Sequence, residues 1–430
     1  MTASWPLVLQ AILAFSTVAL LVRRLHNSYV SGCAYAREFS KIDCVHQRGQ
    51  EAASNRPMTH NPARTCYRIL GFTLLAVSSL LMLSWAPVHA SGSPKPTRSL
   101  KRRIHRYRGV PTYADPTNGD NAQFDDPVVR QAAIDALGRQ NGSVVAVDPS
   151  TGRILTIVNQ KMAFSAGFEP CSTLKPVIAI AALEKGIITP DTMIRVGRRR
   201  YMDLTEALAH SNNAFFEELG RRLGFDTVWH YDRVFGLGER AGLDISGEQP
   251  GLLPSAPPAY GGVARMCSFG EGIRMTPLQL SAIISTIANG GTMYYLQYPE
   301  SEDAARDFQP RVRQKLEIAP LLPELRQGML AAVLYGTAKQ SNDPDGEQTL
   351  GKTGTCNDER MGGRLGWFAS YADQDHPKLV IAVLLRGGAR IVNGPHAADV
   401  AGKIYHDLYQ HNYFATTSAS NEAASSSPQR

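Results

Sequence analysis

Ser172 and Lys175 stand three residues apart in the stretch Pro170-Cys171-Ser172-Thr173-Leu174-Lys175-Pro176, where an apolar run begins. On a helix that spacing puts both on one face, so an amine can reach a hydroxyl. The first turn of a helix also has free backbone N–H groups and a positive dipole end, which favour developing negative charge. Alone the pattern is weak, since roughly one chance match per chain is unsurprising for such common residues. Ser211-Asn212-Asn213 adds a hydroxyl and a carboxamide that could relay a proton and hold a peptide carbonyl; read singly, it is a helix cap. Lys352-Thr353-Gly354-Thr355 adds an ammonium and hydroxyls suited to a carboxylate, with Gly354 letting a substrate backbone lie close; read singly, it is a turn. The signal is the ordered set, each member falling on the element its chemistry needs.

Those elements follow from pattern and punctuation. Residues 141–158 give two β-branched runs around Asp148-Pro149-Ser150-Thr151-Gly152, a hairpin. The apolar run from Ser172 ends at Gly186, which suits a helix terminus. Asp203 and Glu206 form a capping-box pattern opening a short helix that breaks at 210–213, and a second helix runs to Gly224. Thr276-Pro277-Leu278-Gln279 opens a further helix that Asn289-Gly290-Gly291 stops. Strands return at 349–356, 366–372 and 378–386, before a last helix from about Gly394. The expected fold is of the α/β (α+β) type: one antiparallel sheet of about five strands built from both ends of the domain, flanked by helices, with an inserted all-helical lobe.

At 430 residues and 43% hydrophobic, the chain can bury a large core. Its formal charge of +7 is confined to the front: residues 1–110 carry a balance of +12, leaving −5 for the rest, so nucleic acid is not an expected partner. Residues 1–90 read as a leader with two apolar stretches, Pro6 to Val22 and Ile69 to Ala86. The second reads as a signal peptide within 58–90, with Arg64 and Arg68 before it and Val88-His89-Ala90 as a cleavage site; Met58 is a candidate start. If Met1 is used, the first stretch could instead span a membrane. Under both readings the chain beyond residue 90 is exported. Residues 91–125 are expected to form a basic linker able to meet anionic lipid, 126–412 the folded domain, and 413–430 a disordered tail.

With all three motifs in order, the chain resembles the penicillin-binding protein transpeptidase family, relatives of the serine β-lactamases. The resemblance extends over about residues 126 to 412 through Phe235–Pro254, Ser268–Gly291 and the "GTAKQ" from Gly336, segments that look like class B transpeptidases. It implies a D,D-transpeptidase acting on D-Ala-D-Ala stem peptides of peptidoglycan through an acyl-serine. Ser172 would be the acylated nucleophile and Lys175 its base. Ser211 would pass the proton to the leaving amine and Asn213 would bind the substrate amide. Lys352, Thr353 and Thr355 would hold the terminal carboxylate, and the backbone N–H groups of Ser172 and Thr355 would form the oxyanion hole. A free lysine titrates near 10.4, so Lys175 must lose roughly 3 units, about 4 kcal/mol, to be neutral near pH 7. Desolvation beside Lys352 can supply that, and arginine should replace neither lysine.

Three other readings remain. A β-lactamase needs a base for water; the nearest match to the class A glutamate loop, Glu248-Gln249-Pro250-Gly251, departs from it, and Ser211-Asn212-Asn213 departs from the class D pattern. A D,D-carboxypeptidase differs only in the acceptor. A non-enzymatic β-lactam sensor would need a signalling domain, and residues 1–90 hold no protease or kinase motif. Expected partners are stem peptides, β-lactams as covalent inhibitors, the membrane through the leader or linker, and cell-wall synthesis proteins. No glycosyltransferase domain or long pedestal is recognisable, and the family's usual glutamine is Glu271 here. Three of six cysteines lie at or before residue 66. Cys171 and Cys356 flank Ser172 and Thr355; if those two amides share one oxyanion, the cysteines come close enough for a disulfide, as some carbapenem-hydrolysing class A β-lactamases have at corresponding positions. Two packed thiols are the alternative. Cys267 is expected to be buried. No zinc spacing or phosphate loop is present, so neither metal nor cofactor is expected.

Overall fold

The computed structural model describes residues 109–358, 362–372 and 376–415. The leader of 1–90, residues 91–108 of the basic linker and residues 416–430 of the tail lie outside the described residues. Among the described residues no helix is long and apolar enough to cross a membrane.

Asp126 opens α1 (Pro127–Leu137), its carboxylate accepting the amides of Val128 and Val129. The hairpin β1 (Gly142–Val147) and β2 (Ile154–Val158) follows, then α2 (Gln160–Ala163). A 3-10 turn (Cys171–Leu174) leads into α3 (Lys175–Glu184). A two-stranded hairpin, β3 (Ile194–Arg195) with β4 (Tyr201–Met202), precedes the helical region of α4 (Leu204–Ala209), α5 (Asn213–Leu223), α6 (Phe225–Val234) and α7 (Gly262–Phe269). Next come α8 (Pro277–Ala288), β5 (Thr292–Tyr294), α9 (Glu302–Arg306), β6 (Val312–Lys315) and α10 (Leu322–Leu334). The chain closes with β7 (Thr349–Asn357), β8 (Arg364–Ala372), β9 (Leu379–Gly387) and α11 (Gly394–Gln410).

The central sheet has the order β2-β1-β9-β8-β7, every neighbour antiparallel, so β1 from one end of the domain pairs with β9 from the other. Strands β1, β2 and β9 read as nearly continuous apolar runs because both faces are covered. In β9, Val380, Ala382 and Leu384 face the core that holds α3 and α8, while Leu379, Ile381, Val383 and Leu385 face the one that holds α1 and α11. Helix α8 is buried throughout and is closed by the expected capping box of Thr276 and Gln279.

Two boundaries move outward from those expected. Residues 109–125 are packed onto the domain: Asn141 donates to the Pro111 carbonyl at 2.7 Å, and Asp120 accepts from the Asn159 and Gln160 amides at 3.0 and 2.8 Å. Arg130 bridges Asp120 and Asp125. The cause is a change of charge, since the basic run ends at Arg108 and carboxylates with partners come after it. At the other end Tyr413 donates to Asp126 at 3.0 Å and Phe414 is buried, so these two residues belong to the packed unit rather than to a tail.

Candidate active site

The turn that carries Ser172 is set by Cys171, held at φ 54° in the left-handed region, from which the 3-10 turn runs into α3. Ser172 is 8% exposed, and its hydroxyl donates to the Ser268 carbonyl at 3.3 Å. Lys175, the first residue of α3, has no exposure. Its amine donates to the Ser211 carbonyl at 2.6 Å and to Asn213 Oδ1 at 2.7 Å, lies 3.2 Å from Ser211 Oγ, and sits 5.2 Å over the Phe216 ring. The expected pair thus shares one turn, but each polar atom is bonded to the helical region rather than to the other.

At the break between α4 and α5 the two readings of Ser211-Asn212-Asn213 divide among the residues. Asn212 is the cap, accepting the Phe215 amide at 3.0 Å. Ser211, left-handed at φ 52°, turns its hydroxyl onto both amines, with Lys352 Nζ at 2.7 Å. Burial, reinforced by the Lys352 charge, drives the Lys175 amine well below its usual range, although Glu217 pulls it back. Lys352 is also fully buried, and desolvation lowers it to about 7. A hydroxyl has one proton and two lone pairs, so Ser211 can donate to one amine while accepting from the other only when one of them is neutral. Lys175 suits that role: its N–H groups are taken by the Ser211 carbonyl and Asn213 Oδ1, which leaves a lone pair for the Ser211 hydroxyl, and burial beside the Lys352 charge favours its neutral form.

Lys352 lies on β7, an edge strand whose sheet partner is β8. Alternation along β7 puts Lys352, Gly354 and Cys356 on the side of the Ser172 turn. A Cβ on Gly354 would meet Thr173 Cγ2 at 3.0 Å, the Pro170 carbonyl at 3.1 Å and Cys171 Cβ at 3.2 Å. The missing side chain therefore admits the protein's own turn, a close approach that the sequence did not announce. Thr353 shares a hydrogen bond with Thr337 at 2.6 Å, and Thr355 Oγ1 accepts the Gly394 amide at 2.7 Å. Cys171 and Cys356 are joined as a disulfide with Cα atoms 5.5 Å apart, tying the residue before Ser172 to the residue after Thr355. Cys267 is a buried thiol pushed up by burial and by Asp232.

Sequence reasoning missed Thr337 and Ser268. The first lies in the "GTAKQ" segment, whose threonine beside a lysine-threonine strand was a usable signal. The second acts through a backbone carbonyl, which no side chain announces. Glu248 is buried and accepts the Ala241 and Gly242 amides at 2.8 and 2.9 Å, so it braces a loop. Glu271 pairs with Arg265, which stacks 4.5 Å over Phe269. Among the described residues no group of three or more His, Cys, Asp or Glu could hold a metal.

The family model described as the penicillin binding protein transpeptidase domain matches residues 142–410. Penicillin-binding protein PbpB of Mycolicibacterium smegmatis is 26% identical over 356 residues, covering 68% of this chain and 53% of that protein. Peptidoglycan D,D-transpeptidase PbpA of Mycobacterium tuberculosis is 27% identical over 350 residues, covering 65% and 69%. The chain spans about half the length of the PbpB relatives it matches. Among solved structures, the transpeptidase domain of Burkholderia pseudomallei penicillin-binding protein 3 aligns with a TM-score of 0.58 at 21% identity, covering 67% of this chain and 94% of that one, and so shares the fold. The family model takes in more than half of the chain, and this chain belongs to the penicillin-binding protein transpeptidase domain family.

Proposed function

We propose that the chain is a serine D,D-transpeptidase that acts on D-Ala-D-Ala stem peptides of peptidoglycan through an acyl-serine on Ser172. The observation that carries this reading is the pair of fully buried lysines meeting on the Ser211 hydroxyl, both lowered by burial and Lys175 also by the Lys352 charge. A neutral Lys175 takes the Ser172 proton as the hydroxyl attacks the penultimate D-Ala carbonyl; the amides of Ser172 and Thr355 receive the oxyanion. Ser211, between the two amines, hands a proton to the leaving D-Ala nitrogen. Lys352, retaining its proton near neutrality, attracts the substrate's terminal carboxylate together with the Thr353 and Thr355 hydroxyls, and the Asn213 carboxamide binds the substrate amide.

An amine acceptor then releases the acyl group. Glu248, engaged by two backbone amides, is unsuited to activating water, which favours a slowly hydrolysed acyl-enzyme and makes β-lactams covalent inhibitors. The domain would work outside the cytoplasm, at the periplasm or the outer face of the membrane, exported by the signal peptide within 58–90, with residues 91–108 near the lipid and cell-wall synthesis proteins as partners. The test is to incubate wild type and Ser172→Ala with a fluorescent penicillin and with a stem-peptide donor plus amine acceptor. Lasting label and cross-linked product in wild type alone support the reading. Free D-alanine without cross-links replaces it with a carboxypeptidase, and rapid loss of label replaces it with a β-lactamase.

A further inference from the structure

Beside the lysine cluster stands a second polar group that acylation does not use. Tyr335 Oη donates to Glu206 Oε1 at 2.7 Å, and His210 Nε2 lies 3.3 Å from Glu206 Oε2, so both carboxylate oxygens are held. The His210 and Tyr335 rings are 6.0 Å apart between centroids. All three are open to solvent: Tyr335 is 49% exposed, and the side chains of His210 and Glu206 are 41% and 43% exposed. The group is nonetheless stitched to the cleft. His210 directly precedes Ser211, and Tyr335 stands two residues before Thr337, which bonds Thr353. The Thr337 amide donates to the Ala209 carbonyl at 3.0 Å, and a Cβ on Gly336 would lie 2.2 Å from that same oxygen. The ends of α4 and α10 are thereby clamped together beside the catalytic serine and threonine, with the carboxylate on the outer side. Helix C-termini favour positive charge, and two end here.

The second half of the proposed reaction needs such a feature. A primary amine is an ammonium at neutral pH, and the cleft it must enter is lined by Lys352, which repels it while protonated. We propose that Glu206, oriented by Tyr335 and His210, is the specificity-determining group that receives the cationic amine of the acceptor at the rim of the acyl-serine cleft. The proposal rests on the transpeptidase reading. In the step it serves, the ammonium first loses a proton to the lysine-serine relay and thence to solvent. The nitrogen lone pair forms the C–N bond, the acyl C–Oγ bond breaks, and Ser172 Oγ regains a second proton from that nitrogen. Tyr335, whose phenol the Glu206 hydrogen bond pushes up to about 12, remains a donor throughout.

The test uses the full chain, a thioester donor ending like a stem peptide, and two acceptors: a D-amino acid amide, which is cationic, and methanol, which is neutral. In Glu206→Gln the ratio of aminolysis to hydrolysis should fall about threefold, as suits an exposed ion pair. Transfer to methanol and the rate of penicillin acylation should stay at wild-type values. Tyr335→Phe should show a smaller drop in aminolysis alone. Unchanged aminolysis in Glu206→Gln, or an equal loss with methanol, overturns the proposal while leaving the transpeptidase reading intact. A wild type that hydrolyses the donor with either acceptor present overturns both.

Discussion

Two amines buried around one serine hydroxyl leave a thermodynamic trace. Lys352 titrates near 7 in the folded protein against about 10.4 in the unfolded chain, so between those values the unfolded state binds more protons. Its contribution to stability therefore rises as pH increases from about 7 toward 10 and is absent below about 7, where burying the charge costs the most. Lys352→Met should raise the neutral-pH melting temperature, flatten that part of the stability curve in calorimetry, and abolish acylation; a lower melting temperature would mean the amine is not strained by burial. The same ionisations should shape catalysis. The second-order rate of penicillin acylation should follow a bell, its acid limb set by loss of the proton from Lys175 and its alkaline limb near 7 by loss of the proton from Lys352, both as apparent values of a coupled pair. A rate that climbs steadily to pH 9 would assign the charge differently.

Between elements, the site depends on how closely β7 approaches the Ser172 turn. Gly354→Ala should push Pro170 and Thr173 away, costing about 1–3 kcal/mol of stability by overpacking and slowing acylation at least about tenfold. Measuring both separates a site effect from a folding effect, since a stability loss with normal acylation would show that the approach does not matter. The disulfide bridges a sequence separation of 185, so reduction, or Cys356→Ser, should cost about 2–4 kcal/mol in denaturant unfolding. The sequence made these elements legible where their signals are local: the Thr276 capping box, the Asp148 turn, and the continuous apolar run of β9. It did not announce the approach of the Pro170–Thr173 turn to Gly354, because a glycine's neighbour is a tertiary fact and a substrate and a loop leave the same residue type in the strand.

For the molecule as a whole, sequence order concealed and chemistry disclosed the arrangement. Ser172, Ser211 and Lys352 come from a helix start, an interhelical break and an edge strand spread over 180 residues, and their residue types within short motifs were enough to single them out as candidates. Contacts made by backbone, such as the Ser268 carbonyl on Ser172, and boundaries fixed by packing, such as Phe414 and the segment from residue 109, had no such signature. Everything proposed for the reaction rests on a neutral Lys175 serving Ser172 within one buried cluster. The most direct measurement is peptide mapping by mass spectrometry after exposure to a penicillin, for wild type, Ser172→Ala and Lys175→Met. A single penicilloyl adduct on the Ser172 peptide of the wild type, absent from Ser172→Ala and reduced at least about a hundredfold in rate in Lys175→Met, is the expected result. An adduct on another residue, or labelling of Lys175→Met at the wild-type rate, would contradict it.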